Sequence, residues 1–173
     1  DAADRLGIGP AAVLARNPRI VHAAATGYRQ DGPLRDKPAY DDVIQAESGL
    51  AGLIERANGE ARYVPMAMAD KLCGQMLASA IAMALVRQAR TGKGEALHVP
   101  MLETMLSFNL ADHMWAGSLS EPESGLGFPR MFSTHRRPFA TADGKLAVMA
   151  NTDEQWRRLF TALGCAEVMD DAR

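Results

Sequence analysis

A long uncharged segment in the middle of the chain constrains the fold more than any other feature. Between Leu72 and Val86 no residue carries a charge, and only Gln75 and Ser79 are clearly polar. Apolar side chains recur every three or four residues through this segment, which predicts an α-helix. Further apolar residues on the remaining faces predict that this helix is buried on most sides. The run is shorter than the roughly 20 apolar residues of a membrane span, so we expect a core helix.

One acidic residue, Asp70, comes immediately before this helix. The first turn of a helix has unpaired backbone N–H groups and the positive end of the helix dipole, and both stabilise an ionised carboxylate. Aspartate is also among the residues preferred as a helix N-cap. On the local pattern alone, capping is therefore the favoured interpretation of Asp70.

The composition limits the classes of function. The chain has 173 residues, of which 47% are hydrophobic and 23% are charged, as in a globular protein with one domain or parts of two. A net charge of −2 makes nucleic acid and membrane surfaces unexpected partners. The two cysteines lie far apart, without CxxC or HExxH spacing, so we expect reduced thiols, a cytoplasmic location and no zinc site. The N-terminus shows no signal peptide, and both ends suggest a fragment of a longer chain.

Strand and helix patterns alternate around the central helix and predict an α/β fold. Residues 20–26 predict a buried strand, followed by a polar loop over residues 27–42. Such a loop, at the carboxyl end of a buried strand, is where open α/β sheets bind ligands. Residues 95–99 predict a second strand, and helices are expected over residues 40–54 and 101–119.

The last third of the chain has a different pattern. Proline, glycine and serine over residues 120–131 predict a boundary or an active-site loop. Residues 136–150 predict a hairpin around Ala142–Gly144. An amphipathic helix, capped by Asn151 or Thr152, is then expected to end at Gly164. The side chains expected to face inward from this helix are Trp156, Leu159, Phe160 and Leu163.

Four segments, in this order, resemble the family III CoA-transferases, the superfamily of formyl-CoA transferase, carnitine CoA-transferase and alpha-methylacyl-CoA racemase. They are NPRIVHAAATGYRQDGP, PAYDDVIQAESGL, VPMAMADKLCGQMLASAIAMALVRQARTGKGEALHVPMLETM and RPFATADGKLAVMANTDEQWRRLFTALG, and they cover nearly the whole chain. The resemblance implies part of a Rossmann-like large domain with long buried helices over residues 1–117. A linker over residues 118–130 and the start of a smaller α+β domain over residues 131–173 would follow. Members of the family are longer and form interlocked dimers, so the resemblance implies a homodimer.

The resemblance also implies roles for single residues. Asp70 matches the catalytic aspartate, a nucleophile that forms an aspartyl mixed anhydride and then an aspartyl-CoA thioester. The start of the central helix is expected to offer both this carboxylate and backbone N–H donors for an oxyanion. Tyr40 would line the thiol end of CoA, and Asp41 would be a second, non-nucleophilic catalytic carboxylate near the acyl group. Arg29 and Lys37 are candidates for binding the CoA phosphates.

The implied function is transfer of CoA from an acyl-CoA donor to a free carboxylate, with CoA as substrate, no tightly bound cofactor and no metal. One alternative is an alpha-methylacyl-CoA racemase or epimerase, and another is a truncated, non-catalytic module for CoA-ester binding or dimerisation. The racemase branch has a catalytic histidine where this chain has Tyr40, which favours the transferase. The consecutive glycines of the formyl-CoA branch are matched at most by Gly125–Leu126–Gly127, so the acyl donor and acceptor stay open.

Overall fold

The structure is a computed structural model that describes residues 2–119 and 125–171. The chain divides into two units, and the first ends at Phe132. Its helices and strands alternate, which confirms the predicted α/β class. In chain order they are α1 (Ala2–Arg5), α2 (Pro10–Arg16), β1 (Val21–Thr26), α3 (Asp41–Glu47), α4 (Leu50–Asn58), α5 (Met68–Thr91), β2 (Glu95–Pro100), α6 (Met101–His113) and the 3-10 turns Trp115–Ser118 and Pro129–Phe132.

The two strands of the first unit form a parallel pair. Their register runs from Val21 opposite Glu95 to Thr26 opposite Pro100. Parallel neighbours cannot be joined by a hairpin, so the chain must cross over between them. The crossover contains α3, α4 and α5, and α5 packs against both strands.

Helix α5 runs antiparallel to the strands. Near its start, the Sγ atom of Cys73 lies 3.5 Å from the carbonyl oxygen of Val99, at the carboxyl end of β2. Near its end, the side-chain amide of Gln88 donates to the carbonyl of Arg19, just before β1. The N-terminus of α5 therefore lies at the carboxyl edge of the sheet, the edge at which open α/β sheets bind ligands.

The core of the first unit lies where α3, α5 and α6 meet the end of β1. Tyr28, Ile44, Ala69 and Met105 are buried there in one cluster. Ile44 and Met105 are apolar positions of predicted helices, whereas Ala69 lies in the first turn of α5 and Tyr28 in the loop after β1, so the sequence pattern predicts only part of the core.

The prediction that α5 is buried on most sides is wrong. Only Ala69, Cys73 and Ala84 are buried, whereas Met76 is 52% exposed and Met83 is 68% exposed. The side chains that α5 buries are small ones, and large apolar side chains such as Met76, Met83 and Val86 stay exposed. By length and composition alone, α5 is also long and apolar enough to cross a membrane. A single helix of this kind is weak evidence for a membrane span, because core helices of soluble proteins pass the same test.

The helix predicted over residues 40–54 is two helices. Helix α3 ends at Glu47, and α4 begins at Leu50. Between them Gly49 adopts φ 82°, a left-handed conformation that interrupts the helix and is readily available only to glycine. Asn109 of α6 donates to the Ser48 carbonyl at 3.0 Å, and this bond holds the break against the core.

The second unit begins at Ser133. Its strands β3 (Phe139–Ala140) and β4 (Lys145–Leu146) form the predicted hairpin, followed by α7 (Asp153–Ala162) and a 3-10 turn, Ala166–Asp170. Thr152 is the residue that caps α7, in a reciprocal capping box with Gln155.

Two of the four side chains expected to face inward from α7 do not. Leu163 is 67% exposed and Trp156 is 40% exposed, whereas Leu159 and Phe160 are partly buried. The reason is that α7 has little to pack on within its own unit, where residues 133–171 otherwise form a short hairpin and one turn. The predicted linker includes residues 120–124, which lie outside the described residues, and the predicted domain limits stay predictions.

Candidate active site

Asp70 is the third residue of α5, not the residue before it. The N-cap position belongs to Ala67, and no side chain of α5 makes a capping hydrogen bond there. The Asp70 carboxylate is exposed, and no residue of the described ranges donates a hydrogen bond to it. Asp70 therefore does not cap α5, and the capping interpretation is wrong. Its carboxylate is open to a reaction partner at the carboxyl edge of the sheet.

Asp41 supplies the cap that Asp70 does not. Its Oδ2 atom accepts a hydrogen bond from the backbone N–H of Asp70 at 2.9 Å. Asp41 is the first residue of α3, so one helix start caps another. The N–H of Asp70 is therefore occupied in this structure, and the role of the helix start in stabilising an oxyanion stays a prediction. The prediction that Asp41 lies near the acyl group stays a prediction.

Gln45 completes this arrangement, and the sequence analysis missed it. Its side-chain Nε2 donates to Asp41 Oδ1 and, at 3.2 Å, to the carbonyl of Met66. Its Oε1 accepts from the backbone N–H of Val64 at 2.8 Å. The available signal was a glutamine four residues after an aspartate, on a helix whose neighbouring positions are apolar.

Tyr40 lies beside Asp41, with its ring 76% exposed to solvent. The structure thus brings Tyr40, Asp41 and Asp70 together at the two helix starts. The loop that leads to Tyr40 returns close to the end of β1, since a Cβ atom on Gly27 would overlap the side chain of Ala39. Only glycine permits that approach, which keeps Tyr40 near the sheet edge.

The two predicted phosphate-binding cations already have carboxylate partners. Arg29 donates to both oxygens of Asp31 at 2.7 Å, and this hydrogen bonding holds the pKa of Asp31 at about 2. Lys37 forms an ion pair with Glu47. Both cations stay partly exposed, and their role in binding phosphate stays a prediction.

Lys37 and Glu47 form a cluster with Tyr28 beneath the loop. Burial, and secondarily the neighbouring Glu47 carboxylate, raises the pKa of Tyr28 to about 12. The Lys37 ammonium lies 6.0 Å from the centre of the Tyr28 ring. Together these contacts attach the loop after β1 to the end of α3.

Replacing Glu47 by glutamine is expected to destabilise the protein at neutral pH. Hydrogen bonding from Lys37, and then the adjacent Tyr28 hydroxyl, holds the pKa of Glu47 below its ordinary value of 4.5. Because the folded pKa is depressed, this stabilisation is present above pH 4.5 and is lost as the pH falls through the folded pKa. Thermal unfolding at pH 7 should show a Tm lower by about 2–4 °C.

The matched control is Glu55→Gln, at an exposed position of α4. This variant should leave Tm unchanged at both neutral and acid pH. A Tm difference for Glu47→Gln that is equally large at acid and neutral pH would contradict the assigned ion pair.

Cys73 lies one turn after Asp70 and is buried. Burial, and then the charge of Asp70, raises the pKa of the Cys73 thiol, so it stays protonated at neutral pH. Within residues 2–119 and 125–171, no three His, Cys, Asp or Glu side chains gather as a metal site. At this helix start the Asp70 carboxylate is thus exposed, whereas the Cys73 thiol is buried.

The family of the chain follows from comparison with known sequences. Residues 1–173 match the family described as CoA-transferase family III, and the chain belongs to that family. This confirms the resemblance of the four segments.

Individual relatives share the whole length of this chain. It is 27% identical over 98% of its length to a "Probable fatty acyl-CoA transferase Rv3272" of Mycobacterium tuberculosis, and it covers 46% of that protein. It is 28% identical over 100% of its length to "Succinate--glutarate CoA-transferase" of Agrobacterium fabrum, and it covers 43% of that protein. The crystal structure of Rv3272 superposes with a TM-score of 0.80 at 25% identity, over 99% of this chain and 45% of the other. The chain therefore spans less than half the length of these relatives.

Proposed function

We propose that this chain carries the nucleophile of a CoA-transferase that moves CoA from an acyl-CoA to a free carboxylate. The observation that carries the proposal is the exposed Asp70 carboxylate in the first turn of α5, at the carboxyl edge of a parallel sheet. The first turn of this 24-residue helix lies at the positive end of its dipole, which favours negative charge, and a carboxylate is the nucleophilic form of the side chain. Membership of family III supports the reaction class.

The proposed reaction divides one exchange into covalent steps. The Asp70 carboxylate attacks the thioester carbonyl, the C–S bond breaks, and the CoA thiolate leaves a mixed anhydride on Asp70. The thiolate then attacks the aspartyl carbonyl, which releases the donor acid and forms an aspartyl-CoA thioester. The acceptor carboxylate attacks this thioester, the C–S bond breaks, and the CoA thiolate leaves a second anhydride on Asp70. The thiolate then attacks the acceptor's acyl carbonyl, which forms the new acyl-CoA and releases the Asp70 carboxylate.

The other predicted residues have supporting roles in the proposal. Tyr40 would contact the thiol end of CoA, since its exposed ring lies beside the helix starts. Arg29 and Lys37 would reach the CoA phosphates, exchanging carboxylate partners for phosphate oxygens. Because the N–H of Asp70 is bound to Asp41, the developing oxyanion would need donors other than that amide.

The substrates are proposed from chemistry and from the names of relatives. An acyl-CoA donor and a small carboxylic acid acceptor fit a carboxylate nucleophile. Succinate and glutarate, named for the relative from Agrobacterium fabrum, are suitable first probes. We propose no tightly bound cofactor, no metal, and a cytoplasmic enzyme.

We also propose that the complete site needs more chain than these residues, in a homodimer of the interlocked kind. The relatives are more than twice as long as this chain. The open face of α5, with Met76 and Met83 exposed, is the kind of apolar surface that a further layer of structure covers. The activity is therefore expected of the longest protein that contains this chain.

The experiment is an exchange assay on that protein. Succinyl-CoA and glutarate are incubated with it in deuterated buffer, and the CoA esters are analysed by mass spectrometry. Formation of glutaryl-CoA without α-deuteration is the expected result. A parallel incubation with a branched acyl-CoA tests the racemase, which deuterium at the α-carbon without exchange would select. CoA-ester binding without either reaction would select the non-catalytic module.

A further inference from the structure

The Asp70 carboxylate accepts no hydrogen bond from the described residues, so its position depends on how the start of α5 is held. The N–H of Asp70 is bound by Asp41, which is itself bound by Gln45. We propose that Gln45 is a positioning residue for Asp70 and acts through Asp41 and the segment before α5. This inference rests on the proposed function of Asp70.

The chemistry of the glutamine side chain fits this role. Gln45 is 0% exposed, and its amide has one acceptor oxygen and two donor hydrogens. The oxygen accepts from Val64 N–H, and the two hydrogens go to Met66 and Asp41. Every hydrogen-bonding group of the side chain is therefore used. Glutamate would lose both donors and place a second carboxylate beside Asp41.

The bonds from Gln45 control the entry to α5 from two sides. Val64 and Met66 belong to the segment that leads into the helix, so the amide fixes the path of the chain before Asp70. Asp41 fixes the Asp70 N–H itself. The buried side chain of Gln45 thus acts both on the segment before α5 and, through Asp41, on the N–H of Asp70. It has no hydrogen bond to the Asp70 carboxylate itself.

The test compares Gln45→Met with a matched variant, Asn109→Leu. Both replace a buried amide that donates to a main-chain carbonyl by an apolar side chain of similar size, but Asn109 binds Ser48 and has no bond to Asp41. In Gln45→Met, kcat per folded protein should fall about 10- to 100-fold, as for a nucleophile displaced by about 1 Å, while KM changes less than about threefold. Asn109→Leu should lower stability without changing kcat.

A double-variant cycle tests whether Gln45 acts on Asp70 through Asp41. Asp41→Asn removes one of the two acceptor oxygens of Asp41. Its effect on kcat should be non-additive with that of Gln45→Met, because both variants disturb the hydrogen bonds that connect Gln45, Asp41 and Asp70. Additive effects would overturn action through Asp41. An unchanged kcat in folded Gln45→Met, or an equal loss in Asn109→Leu, would overturn the positioning role. If Gln45→Met does not fold, Gln45→Glu replaces it and is judged by the same criteria.

Hydrogen exchange at the Asp70 amide separates this inference from the proposed function. Gln45→Met should accelerate that exchange, and Asn109→Leu should leave it unchanged. If the unaltered protein transfers no CoA, the proposed function fails. The hydrogen-exchange result still shows whether Gln45 holds the Asp70 amide through Asp41. Unaltered hydrogen exchange at the Asp70 amide in Gln45→Met would overturn the positioning role of Gln45 even where CoA transfer is observed.

Discussion

Replacing Asp70 by asparagine is expected to lower kcat for CoA transfer by about a thousandfold or more. The amide is nearly the same shape as the carboxylate but cannot form an anhydride with an acyl group. The side chain accepts no hydrogen bond within the described residues, so its replacement leaves no buried partner unsatisfied. We expect the Tm of the variant to stay close to that of the unaltered protein, which separates lost chemistry from lost folding.

The matched control is Asp42→Asn. Asp42, like Asp70, is an exposed carboxylate in the first turn of a helix. Steady-state kinetics should show kcat within about twofold of the unaltered value, as for an exposed side chain outside the site. A comparable loss of activity in both variants would indicate a general electrostatic effect of carboxylates in the first turns of helices. That result would contradict the assignment of Asp70 as the nucleophile.

Replacing Gly94 by alanine is expected to cost about 3 kcal/mol or more of unfolding free energy, at the upper end of overpacking effects. Gly94 lies just before β2, and a Cβ atom there would overlap the backbone carbonyl of Ile20. That carbonyl accepts the N–H of Glu95 at 3.1 Å, and Gly94 donates to Pro18 at 2.8 Å. The clash therefore disturbs the amino ends of both strands. Denaturant unfolding of the purified protein measures the loss.

Gly74→Ala is the control, and its expected effect on stability is opposite to that of Gly94→Ala. Gly74 lies inside α5, and a Cβ atom there meets nothing within 4 Å. Alanine should stabilise the protein by about 0.5–1 kcal/mol because it restricts the unfolded chain and favours the helix. If Gly94→Ala proved as stable as Gly74→Ala, the close approach of the chain before β2 to β1 would be contradicted.

Much of the fold of the first unit could be predicted from local patterns. Apolar residues at helical spacing marked α5, and short apolar segments marked the two strands. Helix α5 ends as helices commonly do, with Arg90 in its last turn and Gly92 as its C-cap. The break at Gly49 was not predicted, because glycine inside a helical pattern is compatible with both a continuous helix and a left-handed turn.

Burial was harder to predict than helix position. The sequence shows that α5 is apolar on most faces, but the number of neighbours that cover those faces is a property of the assembly. Met76 and Met83 are apolar and exposed here, so composition did not determine their surroundings. The same reasoning applies to Trp156 and Leu163 in the second unit.

The candidate site was predicted in part. Tyr40, Asp41 and Asp70 were identified through the resemblance, and the structure brings them together. The bond from the Asp70 N–H to Asp41 and the bonds of Gln45 to Val64 and Met66 could not be predicted, because they join residues 19 to 29 positions apart in the sequence. Such contacts depend on how two helix starts meet, which no local pattern specifies.

The central claim is that Asp70 becomes covalently attached to the acyl group or to CoA. The most direct measurement is peptide mass spectrometry of the longest protein containing this chain after incubation with an acyl-CoA and hydroxylamine, which converts an aspartyl anhydride or thioester to a hydroxamate. We predict the hydroxamate on Asp70, dependent on acyl-CoA and absent in Asp70→Asn. An active protein that shows no modification of Asp70, or carries it on another carboxylate such as Asp41, would contradict this account.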